Sequence, residues 1–349
     1  MAFTVFTPAV KEEEDGGKPG GLLLYPPPPP PQQQQQGPPP PPPPQPKGAQ
    51  GPPGCAAAAA APPFPVVYYL SGLTCTDENA AQKSGAQRAA ARLGLALVFP
   101  DTSPRPSGEG PGAASFPAEA AASGWDFGFG AGFYLDATKE GWESWQMESY
   151  VMQELPAALA RLPGGGGGGG GGQLDLSRAG IMGHSMGGHG ALTLALRHPA
   201  AFRSVSALAP VCSPTRAPWG EKAFRGYFGD AEWLTSGREH DAAELVRLFP
   251  WGKGGPEPPA PLIDTGGADS FLEKQLMPGE LARAVEETPG CAWATKAGGG
   301  EEGGGGGGGG GGSRLVSRLQ PGYDHSYFFV ATFIEEHLEH HARALLADA

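Results

Sequence analysis

One serine in this chain stands where a turn could expose it for nucleophilic chemistry. The apolar run 179–182 leads directly into Gly183-His184-Ser185-Met186-Gly187. A Gly-x-Ser-x-Gly between a strand and a helix is a nucleophile elbow, whose sharp turn lifts the serine hydroxyl clear of the sheet. Both glycines are needed because side chains there would collide with the neighbouring strand and helix. The pattern predicts Ser185 as an acyl-transfer nucleophile; the alternative is a helix-capping serine in a glycine-rich turn.

Acids and a histidine follow this serine in the order that α/β-hydrolases use. Asp264 and Asp269 follow the apolar run that starts at Pro261, and His325 follows the alternating segment 314–319. Each candidate comes after a predicted strand, at the carboxyl edge of the sheet where α/β proteins build their sites. Both acids stay open on the residues alone. Asp264 is predicted to end its strand, whereas Asp269 lies further into the loop, within reach of a histidine ring.

The base is predicted to be His325 rather than another histidine. His184 and His189 flank Ser185 too closely to swing a ring into the position of the base. Three further histidines, His337, His340 and His341, are predicted to lie on an exposed, solvated face of the last helix.

An acyl-transfer site also needs donors for the developing oxyanion. In this fold they are the backbone N–H after the nucleophile and one from the loop after an early strand. Met186 supplies the first, and Leu73 in the loop 71–76 is predicted to supply the second. The alternative for that loop is an ordinary turn at the end of a strand.

Glycine and proline bound how much of the chain can pack. Gly 58 and Pro 40 among 349 residues are concentrated in a few segments. We predict a disordered Pro/Gln/Ala-rich insertion at 11–63 and polyglycine insertions at 164–172 and 298–312, because such tracts offer no face to bury. Residues 1–10 are then an N-terminal strand of the catalytic domain 64–349. The remaining chain, about 270 residues, suits one large domain.

Strand and helix patterns alternate along the rest of the chain. Short β-rich runs at 3–6, 66–70, 95–99 and 204–208 are separated by helical patterns at 79–93, 145–162, 188–197 and 328–346. Such alternation predicts a mostly parallel central sheet with helices on both faces. Together with the elbow, it predicts an α/β-hydrolase fold.

Several function classes are disfavoured by composition. A net charge of −12 with scattered basic residues argues against a nucleic-acid partner. No apolar run approaches the ~20 residues of a membrane span, and no signal-peptide core is visible near the start. The cysteines (Cys55, Cys75, Cys212, Cys291) show no CxxC pair, and the histidines are dispersed. We therefore expect reduced thiols, no metal, no cofactor and a cytoplasmic location.

Four segments together resemble the S-formylglutathione hydrolase family, also called esterase D. They are 71–76, the aromatic and glycine-rich loop 125–134, 183–190 and 322–327, and the resemblance covers most of 64–346. It implies an α/β-hydrolase fold and hydrolysis of the thioester S-formylglutathione to glutathione and formate, a step of formaldehyde detoxification. It also implies Asp269 as the triad acid, a homodimer, and Cys75 as a modulatory thiol near the active site.

The chain departs from the family in places. Family members usually have more chain before the strand at Phe3, and Ala268 stands where the family often has an acid. The low-complexity insertions are not family features either. The aromatic loop 125–134 and Trp145 are candidates for an acyl pocket, with core packing as the alternative.

Other functions are compatible with the same residues. A general carboxylesterase would share the triad, and an acyltransferase would need an alcohol that outcompetes water. From another class, the alternative is an inactive hydrolase scaffold that acts through its proline-rich segment on SH3- or WW-type domains. The filled triad positions favour the enzyme.

Overall fold

Apolar, β-branched runs make the centre of the molecule a sheet. The computed structural model describes residues 2–7, 22–25, 63–106, 116–162, 174–294 and 314–347. The strands are β1 (Phe3–Phe6), β2 (Leu22–Tyr25), β3 (Phe64–Leu70), β4 (Ala96–Pro100), β5 (Leu174–His184), β6 (Ser204–Leu208), β7 (Leu262–Gly266) and β8 (Val316–Gln320). The helices are α1 (Asp77–Lys83), α2 (Ala86–Leu93), α3 (Glu119–Ala122), α4 (Met147–Ser149), α5 (Leu155–Leu159), α6 (Met186–Arg197), α7 (Pro218–Phe228), α8 (Trp233–Arg238), α9 (Ala242–Leu248), α10 (Pro278–Glu287) and α11 (Tyr327–Leu345).

The strands of the described chain form one sheet in the order β2-β1-β4-β3-β5-β6-β7-β8. β1 runs antiparallel to both β2 and β4, and all later neighbours are parallel. Because the parallel strands share a direction, the loops that follow β3, β5, β7 and β8 leave the sheet at the same edge. The predicted α/β-hydrolase fold is confirmed.

Helices cover the sheet and close the core. α6 packs against β5, β6 and α9, while α11 packs against β5, β6 and α2. Every residue of α6 up to Leu196 is buried, as expected for a helix between the sheet and a second helical layer. No helix in the described part of the chain is long and apolar enough to cross a membrane.

Some element boundaries differ from those that the sequence predicts. The helix expected at 79–93 is two helices, because Gly85 adopts a left-handed φ of 69° between α1 and α2. The helix expected at 145–162 contains a π-helical turn, Tyr150–Glu154, between α4 and α5. A π-turn inserts one extra residue per turn and leaves no simple sequence periodicity.

The low-complexity segments lie mostly outside the described residues. Leu22–Tyr25, within the predicted insertion 11–63, pairs with β1. The rest of that insertion up to residue 62 and the polyglycine tracts lie outside the described residues, so the domain boundaries stay a prediction. The tract at 164–172 connects α5 to β5, and the tract at 298–312 precedes β8. Both therefore lie in connections that lead into strands.

The prediction that the last three histidines are solvated is wrong. His337 and His341 are buried, and His340 is half-buried. The His341 ring bridges two buried hydroxyls of β6, with Nδ1 2.6 Å from Ser204 Oγ and Nε2 2.9 Å from Ser206 Oγ. His340 and His341 therefore face the sheet, because β6 supplies hydrogen-bond partners for both rings.

These histidines should make the fold sensitive to acid. Burial lowers the pKa of His340 to about 4, whereas an unfolded histidine titrates near ~6.5. Between these values the unfolded chain binds a proton that the folded chain does not. Stability is therefore lost as the pH falls through this window, by at most ~1.4 kcal/mol per pH unit for this group.

The variant His340→Gln should flatten the pH dependence of stability, because it removes the titrating ring. The measurement is the urea midpoint at a series of pH values from about 7 to 4. If the urea midpoint of the variant falls with pH as steeply as that of the parent, the acid sensitivity does not come from His340. His340 Nε2 donates to the Val205 carbonyl oxygen at 3.0 Å, a hydrogen bond that the glutamine amide can keep.

Candidate active site

The elbow holds Ser185 in a backbone conformation that L-residues rarely adopt. Its φ of 59° and ψ of −120° place it between the end of β5 and the start of α6. A Cβ on Gly183 would overlap the backbone of Gly187, and a Cβ on Gly187 would overlap the Leu70 carbonyl. The Ser185 N–H donates to the Leu208 carbonyl oxygen at 2.9 Å, which fixes the turn. Such strain, about 1–3 kcal/mol, is typical of functional sites.

The half-buried His325 and the buried Asp269 form a hydrogen-bonded pair. His325 Nδ1 lies 2.6 Å from Asp269 Oδ2. An ionised carboxylate only accepts, so Nδ1 carries the proton and Nε2 is left as the free, basic nitrogen. Asp269 is itself fixed, since its Oδ1 accepts the Phe271 N–H at 2.8 Å. The arrangement orients one histidine for proton transfer.

Backbone hydrogen bonds join the loop of the acid to the loop of the base. The Gly267 N–H donates to the Gln320 carbonyl at 2.8 Å, and the Ala268 N–H donates to the Tyr323 carbonyl at 2.9 Å. A Cβ on Gly266 would overlap the Tyr323 carbonyl, so glycine permits this close approach. The two loops thus continue the pairing of β7 and β8 beyond the strands.

Asp264 has a different set of partners. It lies in the middle of β7, not at its end as predicted, and is fully buried. Its carboxylate accepts from His337 Nε2 at 2.9 Å, from Gln320 Nε2 at 2.8 Å and from Arg318 Nε at 2.7 Å. Burial alone would raise the pKa of this carboxyl, but these hydrogen bonds outweigh it and hold the pKa well below its usual range. Asp264 therefore has the contacts of a structural acid.

Ser185 and His325 line one pocket of about 270 Å³. Phe271 packs edge-on against the His325 ring at 5.2 Å between centroids. Asp324, next to His325, is exposed and accepts the Ser326 N–H at 3.0 Å, as expected of a residue that fixes the loop. The structure thus brings together the serine and the histidine that the sequence singles out, with Asp269 behind the histidine.

The two predicted oxyanion donors belong to segments next to the serine. Met186 begins α6, so its N–H has no acceptor within its own helix. Leu73 lines the pocket in the loop after β3, beside Gly72. A Cβ on Gly72 would lie 3.1 Å from Ser185 Cβ, which shows how closely that loop approaches the nucleophile.

Cys75 lines the same pocket, but its surroundings do not favour the thiolate form. Its Sγ lies 3.8 Å from Tyr327 Oη, and the residue is buried. Burial raises the pKa of the thiol above its usual value, although Tyr327 and Lys83 partly offset the effect. Because the thiolate is the reactive form, a raised pKa disfavours reaction. The modulatory role of Cys75 stays a prediction.

His184 is a buried neighbour of the base. The rings of His184 and His325 are 4.7 Å apart between centroids. Burial, with a smaller effect of His325, lowers the pKa of His184 well below its usual value. The His184 ring is therefore neutral at neutral pH and adds no positive charge beside His325.

Most of the predicted aromatic pocket is packing. Trp145 is fully buried against Trp142, with 4.7 Å between ring centroids, and does not line the pocket. From the loop 125–134, Trp125 lines it. The remaining pocket walls were not found from the sequence; they are formed by Asn79, Lys83, Trp219, Phe271, Ser326 and Tyr327. Asn79 and Lys83 do carry a signal, the i, i+4 spacing that puts both on one face of α1.

No group of three His, Cys, Asp or Glu side chains placed to hold a metal ion occurs among the described residues.

Several known proteins are similar to this chain in sequence or in structure. The family described as "Putative esterase" matches residues 52–251. An S-formylglutathione hydrolase of Arabidopsis thaliana is 44% identical over 283 residues, which cover 80% of this chain and 82% of that protein. One of Rattus norvegicus is 41% identical over 291 residues, which cover 81% and 84%. The solved structure of an S-formylglutathione hydrolase from Agrobacterium tumefaciens has a TM-score of 0.65 and 41% identity, covering 82% of this chain and 86% of its own.

The fold and the match to the esterase family show the class of protein: the chain is an esterase with the α/β-hydrolase fold. The two S-formylglutathione hydrolases are more than 40% identical to this chain over about four-fifths of its length, and this identity defines the family within that class. The chain belongs to the S-formylglutathione hydrolase family.

Proposed function

We propose that this protein hydrolyses S-formylglutathione to glutathione and formate through a formyl-enzyme on Ser185. The observation that carries the proposal is the hydrogen bond of 2.6 Å between His325 Nδ1 and Asp269, in the pocket that Ser185 also lines. It leaves His325 Nε2 able to accept the serine proton. Membership of the S-formylglutathione hydrolase family supports the choice of substrate.

The first half of the reaction breaks the thioester. Ser185 Oγ attacks the formyl carbon while His325 Nε2 takes the hydroxyl proton. The carbonyl oxygen becomes an oxyanion, which the N–H groups of Leu73 and Met186 stabilise. The carbon–sulfur bond then breaks, and the proton on His325 passes to the departing sulfur. A thiol has a pKa near ~8.5, so this protonation matters less than it would for an alcohol.

The second half returns the enzyme to its starting state. Water attacks the formyl ester of Ser185, and His325 Nε2 accepts a proton from it. The ester bond breaks, the serine regains its proton from His325, and formate leaves. Asp269 stabilises the imidazolium form of His325 in both halves and keeps the same tautomer throughout.

The test compares the thioester with a simple ester. We expect kcat/KM for S-formylglutathione to exceed that for an aryl acetate by at least about 100-fold, a preference of ~2.7 kcal/mol for the thioester transition state. Comparable values for the two substrates would contradict the proposal and indicate a general carboxylesterase. No turnover of either by folded protein would indicate an inactive scaffold.

The cytoplasmic location is proposed on the composition and the cysteine pattern of the sequence, and the homodimer is proposed on the resemblance to the family. Light scattering on the purified chain tests the dimer, and a monomeric mass would contradict it. Subcellular fractionation tests the location.

A further inference from the structure

The pocket is much larger than the acyl group that the proposed function places in it. A formyl group is about the size of one water molecule, which occupies ~30 Å³ in the liquid. The pocket has a volume of about 270 Å³. Most of this space is therefore left for the thiol part of the substrate, and the residues that line it select that part.

The part of the pocket that is left for the thiol has an aromatic wall and a polar wall. Trp219 packs against Trp125 and Phe271, with ring centroids 5.5 Å and 4.6 Å apart. Trp125 is 53% exposed, so this wall extends to the pocket mouth. Asn79 and Lys83 of α1 contribute to the rest of the lining. A peptide could thus lie between flat rings and hydrogen-bonding groups.

Lys83 is the one Lys or Arg among the described residues that line this pocket, and none of them is Asp or Glu. It ends α1 and is exposed, with Nζ 5.7 Å from the centroid of the Tyr327 ring. Tyr327 is two residues from His325 and also lines the pocket. The ring contact places the ammonium group of Lys83 on the pocket side of α1.

Nearby cations have carboxylate partners. Lys222 pairs with Asp126, and Arg105 pairs with Asp101 at 3.0 Å. In the part of the chain that the structure describes, Lys83 has no such ion pair. An ammonium group that faces a pocket without a counterion is suited to bind an anionic ligand group.

The leaving group of the proposed substrate is anionic. Glutathione is a tripeptide thiol with two carboxylates and one ammonium group. The protein carries a net charge of −12, which disfavours the approach of a net-negative substrate unless a local cation compensates. Lys83 is placed to provide that compensation.

We propose that Lys83 Nζ binds a carboxylate of the glutathione moiety and thereby distinguishes S-formylglutathione from substrates without that carboxylate. This inference rests on the proposed function. The contact lies away from the reacting carbon, so it forms equally in the bound substrate and in the transition state. Its loss therefore raises KM more than it lowers kcat.

The experiment uses two thioesters that differ in the carboxylates alone: S-formylglutathione and the S-formyl derivative of glutathione dimethyl ester. For the parent we expect kcat/KM to favour the free acid about tenfold, in line with one charge-assisted contact at a partly exposed site. In Lys83→Met this preference should disappear, mainly through KM. In Lys83→Arg it should be kept, and in the parent it should weaken as salt is raised.

Arg88→Met is the matched control, because Arg88 is an exposed cation of α2 outside the pocket lining. It removes the same charge and should keep the parent's preference. The inference is overturned if Lys83→Met keeps the preference, or if Arg88→Met loses it to the same extent. A parent that hydrolyses S-formylglutathione no better than an aryl acetate overturns the proposed function as well, so the two failures are distinguishable.

Discussion

Replacing Ser185 by alanine is expected to lower kcat for S-formylglutathione by about 10⁵- to 10⁶-fold. The substitution removes the oxygen that would form the formyl-enzyme and leaves the pocket otherwise intact. Residual turnover would come from the oxyanion donors and from His325 acting on water. The measurement is kcat under saturating substrate, with a circular dichroism melt to show that the variant folds. Activity within about tenfold of the parent would exclude Ser185 as the nucleophile.

A second substitution at the same position separates chemistry from strain. Ser185 has a φ of 59°, a conformation that glycine adopts without penalty. We therefore expect Ser185→Gly to be as inactive as Ser185→Ala and about 1 kcal/mol more stable. Gains in stability with loss of activity would show that the fold holds the serine in a costly conformation. Equal stability of the two variants would contradict that account.

Replacing Asp269 by asparagine is expected to lower kcat about 10⁴-fold. The carboxylate accepts from His325 Nδ1 at 2.6 Å and so keeps the proton on that nitrogen. An asparagine amide can donate to Nδ1 instead, which favours the tautomer with the proton on Nε2. That tautomer cannot accept the proton of Ser185. The measurement is again kcat, with the melt of the variant as a check on folding.

Asp264→Asn is the matched control, since it makes the same chemical change five residues earlier on β7. Asp264 is bound by Arg318, Gln320 and His337, and its pKa is held low. Removing its charge leaves Arg318 partly unpaired, so we expect a loss of about 2–4 kcal/mol in the free energy of unfolding. The folded fraction should keep kcat within about tenfold. A larger loss of kcat in Asp264→Asn than in Asp269→Asn would reverse the two roles.

The effect of Asp264→Asn on stability should depend on pH. The low pKa of Asp264 in the folded chain means that its ionised form stabilises the fold above the unfolded pKa of ~3.9. This contribution is lost as the pH falls through the folded pKa. The difference between parent and variant should therefore shrink below about pH 4.

The parts of the site that local patterns encode were predictable from the sequence. The elbow at Ser185 needs glycines at fixed offsets. The acid and the base each follow a strand that ends at the same edge of the sheet, which brings them close together. The choice between Asp264 and Asp269 was harder, because both follow the same apolar run. It depends on which carboxylate meets His325 and which meets Arg318, and that is set by the pairing of β7 with β8.

The parts that depend on contacts between distant segments were not predictable. From the sequence alone, His341 is a polar residue expected on the exposed face of a helix. Its burial depends on Ser204 and Ser206 of β6, which form hydrogen bonds with its ring. Trp219 and Phe271 come from separate segments of the chain and pack against each other in one wall of the pocket, with no shared motif. Hydrophobic periodicity shows which face of an element is apolar, but it does not show which polar groups the neighbouring elements offer.

The hydrogen bonds between the loops after β7 and β8 hold Asp269 and His325 together, whatever the length of the segment between them. His325 is separated from Asp269 by a segment that includes the glycine tract 303–312. The hydrogen bonds of Gly267 and Ala268 hold the two loops together at the ends of that segment. Loop closure depends only logarithmically on length, so doubling such a connection changes stability by about 0.6 kcal/mol. A gene in which this tract expands or contracts can thus encode chains of different size with one catalytic geometry.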